Sequence, residues 1–415
     1  MNYRIVEVDL GRPPAALALA PGETGVALVL RDGEDLVGFR LLGAGELEPG
    51  GGLPPGALDD RETRVARETA RLRAALPPAP VPAEAPSVTV AICSKDRWEW
   101  VDRLLASLEA VRAAEAERGR DAPLDVLVVE NAPSGPRMRA VCDARPGVRY
   151  VAEPLVGLDF ARNRAIAEAR GAVVAFLDDD VVVDRGWLRG LRRAWSENPD
   201  AGCVTGLVLP LAMETEAQIL FERAGGFRRG FQPLRHTGEA PGDPLHPCGA
   251  GKFGAGANMS VRRDLVRRLG GFDEALDTGR PLPGGGDLDI FYRVLRAGAP
   301  LVYEPQACVY HEHRREMSVL GRQYHSWGQG FMAFVAKSMQ SDPEMRGRFR
   351  RLVAWWWRWQ ARRLARRLAG GQEAVPAWMI LAEMRGGLVG IAGEYRRSQR
   401  RSARIRAAAD ETGAA

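Results

Sequence analysis

Three consecutive acids, Asp178-Asp179-Asp180, stand between the apolar runs Ala172–Leu177 and Val181-Val182-Val183. A solvated surface turn seldom has so apolar a frame. In an extended stretch Asp178 and Asp180 would point to one side and Asp179 to the other. Two carboxylates facing one cleft suit a hard divalent cation that also takes phosphate oxygens. Other polar residues follow apolar runs in the same way: Ser94-Lys95-Asp96-Arg97 after Val88–Cys93, and Glu130-Asn131 after Leu124–Val129. About a hundred residues later, Gly284-Gly285-Gly286 precedes Asp287 and the helically spaced Ile290, Val294 and Leu295. A glycine-rich loop lets backbone approach a ligand closely, so Asp287 at this helix start is either a site residue, with Asp289 as the fallback, or an ordinary N-cap. The run Tyr303–Tyr310 ends in His311-Glu312-His313, whose two imidazoles share a face in an extended chain.

The elements that must position these groups are legible from periodicity. Short β-branched runs alternate with amphipathic stretches such as Val101, Leu104, Leu105, Leu108 and Val111, the pattern of a parallel sheet covered by helices on both faces. Helices are expected over Asp159–Ala169 and Gly186–Trp195, and a further strand over Cys203–Leu209. Right-handed crossovers bring the strand carboxyl ends to one edge, where ligands bind in open α/β sheets. Before this lies a small β module with strands at Ile5–Val8, Gly25–Leu30 and Asp35–Leu42, a hairpin signal at Asp32-Gly33, and a helix over Arg61–Ala75. Five prolines in residues 76–86 read as a semi-rigid linker. The expected organisation is a β-rich module over 1–75, this linker, a catalytic domain over 87–315 and a basic helical region over 316–415.

Val90-Ala91-Ile92-Cys93-Ser94-Lys95-Asp96-Arg97, Val128-Val129-Glu130-Asn131-Ala132-Pro133, Gly157-Leu158-Asp159-Phe160-Ala161-Arg162-Asn163, Phe176-Leu177-Asp178-Asp179-Asp180 and Gly284-Gly285-Gly286-Asp287-Leu288-Asp289 occur in the order and spacing of family 2 glycosyltransferases. The chain resembles that family over roughly residues 87 to 315. The resemblance implies a GT-A, Rossmann-like, mostly parallel sheet and a nucleoside diphosphate sugar donor. It implies nucleotide contacts from Asp96, Glu130, Arg162 and Asp178, although a structural pairing of Arg162 with a nearby acid stays open. It implies Mg²⁺ or Mn²⁺ on Asp180 and His311, with a solvated strand-end histidine as the alternative for His311. Asp287 becomes the general base that takes a proton from an acceptor hydroxyl, in a metal-dependent, inverting transfer of a hexose during glycan or glycolipid synthesis. Asn258 and Asp273 either touch the donor sugar or brace the loop.

Composition bounds these readings. The chain has 415 residues and a net charge of +5, yet residues 343–406 hold sixteen Arg against four acids, +12 in one segment, so the remainder is acidic. Arg346–Leu368 interleaves nine Arg with Trp355, Trp356, Trp357 and Trp359. That composition suits an interfacial helix on anionic lipid or a helical subdomain packing its tryptophans on the body; nucleic-acid binding lacks an accompanying motif. No apolar stretch reaches the ~18 residues of a membrane span and no signal-peptide core is present, so a cytoplasmic protein, peripheral on the inner membrane face, is expected. Five dispersed cysteines fit neither a disulfide framework nor a zinc site. Two competing classes remain: a catalytically weak sugar-nucleotide-binding scaffold subunit of a membrane-associated glycan assembly complex, and a nucleotidyltransferase, which would normally carry glycine after the first strand.

Overall fold

The computed structural model describes residues 1–75, 86–119, 124–279 and 281–412. The proline-rich segment read as a linker lies outside them except for Pro86. At the N-terminus β1 (Tyr3–Asp9), β2 (Gly25–Asp32) and β3 (Asp35–Gly43) form a three-stranded sheet. The β2–β3 pair is the antiparallel hairpin that Asp32-Gly33 predicts, whereas β1 pairs with β2 in parallel. The helix Arg61–Ala75 follows, with the bounds expected from its periodicity.

The body is a nine-stranded sheet of β4 (Val88–Ser94), β5 (Asp125–Asn131), β6 (Val148–Glu153), β7 (Val173–Leu177), β8 (Val181–Val183), β9 (Cys203–Pro210), β10 (Leu234–His236), β11 (Asn258–Arg262) and β12 (Leu301–His311). The order is β10-β12-β9-β11-β7-β4-β5-β6, with β8 pairing β12. Strands β4, β5, β6 and β7 are mutually parallel, as are β9 and β12. Between the two parallel groups β11 runs in reverse, antiparallel to both β7 and β9, and the short strands β8 and β10 are antiparallel to β12. It follows that β4, β5, β7, β9 and β12 all end at one edge, and that β11 begins there. This is the mostly parallel α/β architecture the alternating pattern implied.

Both faces are covered. One core joins Val90, Ile92 and Val128 to Leu104, Leu105, Trp187 and Trp195. The other joins Ala91, Leu127 and Phe176 to Ile290, Phe291, Phe334 and Phe349, so the C-terminal helices seal the second face. Each such fully buried apolar side chain contributes roughly 1.5–3 kcal/mol. A third core is shared between the N-terminal sheet and the body, with Val26, Leu28 and Phe39 against Leu207, Leu209, Tyr303 and Cys308. There Arg31, buried, pairs with buried Asp184, and the Leu36 N–H donates to Gln306 Oε1 at 2.8 Å. All five cysteines are buried free thiols.

The C-terminal region is helical over Met317–Ser341, Arg346–Leu368, Ala377–Val389 and Tyr395–Thr412. Its tryptophans divide: Trp356 is buried against Phe331, whereas Trp355 and Trp359 stack on each other in solvent and Trp378 is exposed. Among the described residues no helix is long and apolar enough to cross a membrane.

Candidate active site

Sheet polarity decides which residues meet. After β7 the chain must turn, because β8 leaves to pair with β12. Asp178-Asp179-Asp180 is therefore a turn and not the extended stretch assumed from sequence, and all three carboxylates border one cleft of about 390 Å³. That cleft also has Ser94, Lys95 and Arg97 from the end of β4, Asn131 from β5 and Arg314 from beyond β12. A second hollow of about 810 Å³ adjoins it, holding Arg162, Asp287, His311 and the glycine loop Gly251 to Gly256. Leu158, Asp178, Asp277, Pro283 and Arg314 border both hollows and form the wall between them. A separate hollow of about 840 Å³ lined by Trp98, Arg137 and Arg145 contains none of the candidate residues.

Each carboxylate has a distinct setting. Asp179 accepts from Ser94 Oγ at 2.7 Å and pairs with Arg97, yet burial still pushes it up to about 6. Asp180 is buried; against the cost of that burial, His311 when protonated, Arg97 at 3.3 Å and Arg314 at 3.6 Å hold it below the usual carboxylate range. Asp178 has no hydrogen-bond or ion-pair partner for its carboxylate among the described residues, and burial together with the charge of Asp180 pushes it up to about 7. Asp287 opens the helix Gly286–Arg296, where its Oδ2 accepts from the Gly256 N–H at 3.1 Å and its Oδ1 from the Leu288 N–H at 2.8 Å. Gly285 just before it has φ 106°, and a Cβ there would lie 2.9 Å from the Gly330 carbonyl oxygen, so only glycine brings this helix start so near the Met317–Ser341 helix. Asp289, the fallback base, is fully buried and paired with Arg293 at 2.7 Å and with Lys337. It is a structural ion pair that borders neither hollow.

Arg162 pairs with Asp159 at 2.8 Å and Asp277 at 3.2 Å while lining the second hollow, so both readings of it have geometric content. Glu130 is buried, accepts from the Tyr150 hydroxyl at 2.7 Å, and is raised by burial. Asp96 accepts from Ser134 N and Oγ at 3.1 and 2.7 Å. Neither Glu130 nor Asp96 borders either hollow; their neighbours Asn131 and Lys95 do. Asn258 is buried in the sheet, donating to Leu207 and Ala307 carbonyls, and Asp273 accepts from the Tyr395 hydroxyl at 2.7 Å; both brace the fold. Among the described residues the non-glycine positions with positive φ are Asp96 (55°), Ala132 (46°) and Asp277 (50°). Two directly follow strand ends at this edge and the third lies in the wall, and strained backbone of this kind concentrates at functional sites.

His311 closes a buried relay that local sequence does not reveal. Its Nδ1 lies 2.9 Å from His313 Nδ1, and His313 Nε2 lies 2.8 Å from Glu222 Oε1. If His313 donates from Nε2 to the carboxylate, its Nδ1 is the acceptor and His311 must donate from Nδ1. Burial pushes His311 down to about 3, so its ring is neutral at pH 7. The bare Nε2 lone pair then faces Asp180 Oδ1 at 3.3 Å, an arrangement that invites a cation. No three His, Cys, Asp or Glu side chains converge as a complete ligand set among the described residues. A site with few protein ligands fits a cation that completes its shell with substrate phosphates. Glu222, His313, Asp277 and Arg314 are the participants missed from sequence; the His-Glu-His-Arg run at 311–314 was the available signal for two of them.

Residues 89–266 match the family model described as glycosyl transferase family 2. Over that span the chain carries a family 2 glycosyl transferase domain. A pre-mycofactocin glycosyltransferase of Mycobacterium tuberculosis is 30% identical over 299 residues, covering 70% of this chain and 57% of the relative. The succinoglycan biosynthesis protein ExoM of Rhizobium meliloti is 28% identical over 257 residues, covering 60% and 75%. A glucosyl-dolichyl phosphate glucuronosyltransferase of Haloferax volcanii is 28% identical over 194 residues, covering 42% and 54%. The chain thus spans little more than half the length of the mycobacterial and archaeal relatives. Among solved structures, the mannosyltransferase PcManGT from Pyrobaculum calidifontis, in complex with GDP-Man and Mn²⁺, is 19% identical with a TM-score of 0.47, covering 84% of this chain and 93% of that one. Every residue placed at the shared wall from within the matched span, Asp178 above all, lies on the family domain; Asp287, His311 and Arg314 follow it.

Proposed function

We propose that the chain transfers a hexose from a nucleoside diphosphate sugar to an acceptor hydroxyl, with inversion, in glycan or glycolipid synthesis. The observation that carries this reading is the wall between the two hollows. Asp178 stands in it with no ion-pair partner among the described residues; basic and amide groups of the β4 and β5 ends lie on one side, and Asp287 on the other. The donor's nucleotide occupies the cleft of Lys95, Arg97 and Asn131, the chain neighbours of Asp96 and Glu130, and its diphosphate reaches Arg314 and the acidic turn. Arginine suits such oxygens because its planar fork matches them.

Asp287, steadied by two backbone N–H groups, accepts the acceptor's proton as the acceptor oxygen bonds to the anomeric carbon. The bond from that carbon to the diphosphate oxygen breaks on the opposite face, and its electron pair leaves with the nucleoside diphosphate. General-base assistance of this kind contributes about 10²–10⁴ in rate. A bound Mg²⁺ or Mn²⁺ would be held by Asp180 and His311 and would supply charge neutralisation at the diphosphate. The Glu222–His313 pair keeps the His311 tautomer that such binding needs.

The donor reading is tested by melting the chain with UDP-, GDP- and dTDP-sugars and Mn²⁺. At least one should raise Tm, since a ligand at about 100 times its Kd adds about 2.7 kcal/mol; no shift with any donor removes the proposal. The exposed Trp355, Trp359 and Trp378 beside the arginines of Arg346–Leu368 support peripheral contact with anionic lipid. Pelleting with anionic vesicles that fails in high salt is the expected result, and no pelleting at low salt removes that contact.

A further inference from the structure

The second hollow runs from Asp287 to an aromatic end formed by Trp327, Phe331, Trp356 and Trp359. These residues belong to the C-terminal helices, beyond the span matched by the family model. Two buried or half-buried cations border that end and its approach, and they differ. Arg363 is neutralised by Glu373 at 3.4 Å and Glu383 at 3.3 Å. Arg229 has no carboxylate within ion-pair distance among the described residues. Its Nη1 donates to the carbonyls of Phe227 (3.1 Å) and Arg228 (2.9 Å), and its Nη2 to that of Gly251 (2.8 Å). Its Nε is covered and has no partner. Three carbonyls orient the guanidinium without cancelling its charge, and one Nη2 hydrogen is left over. Burial pulls this guanidinium below its ordinary value, with Asp287 acting only as a more distant charge.

The strap that presents Arg229 is specifically shaped. Gly225, Gly226 and Gly230 have φ of 108°, 55° and 93°, and a Cβ on Gly226 would lie 2.4 Å from Glu222 Oε1, the carboxylate of the histidine relay. Arg229 is thereby tied to the loop that donates Gly256 N–H to Asp287, since both grip the Gly251 to Gly256 segment. The site's cations are also sorted by side. Lys95 and Arg97 border only the nucleotide-side cleft, Arg314 borders both, and Arg162, Arg229, Arg322 and Arg363 border only the hollow that Asp287 faces; of these four, Arg162 and Arg363 are paired with carboxylates and Arg322 is exposed. The donor diphosphate has Arg97 and Arg314 to meet it, which leaves Arg229 for the other substrate.

We infer that the acceptor is anionic: it carries a carboxylate or phosphate that docks on Arg229, and a ring or apolar body that lies against Trp327 and Trp359, so that its hydroxyl falls beside Asp287. This rests on the transferase reading but is tested separately from it, by acceptor binding without donor turnover. The full chain is titrated calorimetrically with phenyl β-glucoside, phenyl β-glucuronide and farnesyl phosphate. The first two differ only in a hydroxymethyl replaced by a carboxylate. The expected result is that at least one anionic probe binds about tenfold or more tightly than the glucoside. Arg229→Gln should reduce that probe to the glucoside's affinity and leave the glucoside unchanged, while Arg229→Lys retains part of the preference. Preference for the glucuronide identifies an acidic sugar, and preference for farnesyl phosphate a lipid phosphate. Equal binding of all three probes to the unmodified chain overturns the inference whatever the variants do. So does a preference that survives Arg229→Gln, or a loss of all three probes together. The nucleotide-sugar melting experiment on the same samples shows independently whether the donor reading stands.

Discussion

Two clusters of buried charge in this molecule have opposite characters. Where the N-terminal sheet meets the body, Arg31 is matched by Asp184, by Glu7 at 2.7 Å and by the Tyr310 hydroxyl at 3.4 Å, and Asp184 accepts from the Gly186 N–H as well. Every formal charge there has a partner. At the wall between the two hollows, Asp178, Asp179, Asp180, Asp277 and Asp287 lie among fewer cations, and among the described residues neither Asp178 nor Arg229 across the hollow has an ion-pair partner, only the more distant charges of Arg162 and Asp287. Taking a charge out of water costs several kcal/mol unless something compensates. The first cluster is compensated by the protein itself and fastens two sheets. The second is left for substrates to compensate.

The contrast can be broken by paired denaturant unfolding of two variants. Arg31→Met leaves Asp184 buried without its cation and should lower stability by about 3–5 kcal/mol, read as a fall in the urea midpoint at constant slope. Asp178→Asn removes a carboxylate that has no ion-pair partner and that burial and Asp180 push up to about 7, so in the absence of ligand it should leave stability unchanged or raise it by about 1 kcal/mol. The same variant should lose the melting shift produced by nucleotide sugar. If Arg31→Met were neutral and Asp178→Asn strongly destabilising, the assignment of one cluster to structure and the other to ligand would be reversed.

Much of this could be read from residue order alone. The β-branched runs, the helix Arg61–Ala75 and the strand-end polar groups are local patterns, and local patterns are set by backbone preference and burial on one face. Asp178, Asp179, Asp180 and Asp287 were found because each lies just after an apolar run or a glycine loop. What escaped was long-range. Arg31 and Asp184 are 153 residues apart, and Glu222 reaches His313 across 91, so neither pairing leaves a mark on its neighbours in the chain. Asp277 follows no strand and no glycine run, and only its φ of 50° and its place in the wall reveal it. The acidic turn was misjudged as extended because the departure of β8 toward β12 depends on a strand over a hundred residues later. Asp287 and Asp289 show the same limit at short range: both open one helix, and only tertiary packing makes one a buried ion pair and leaves the other facing a hollow.

The most direct measurement compares Asp287→Asn with the unmodified chain for transfer from a donor that both are shown to bind by melting shift. Asparagine retains an oxygen to accept the Gly256 N–H and cannot take a proton. A loss of about 10²–10⁴ in turnover with donor binding intact is the predicted result. Turnover close to that of the unmodified chain would contradict the account.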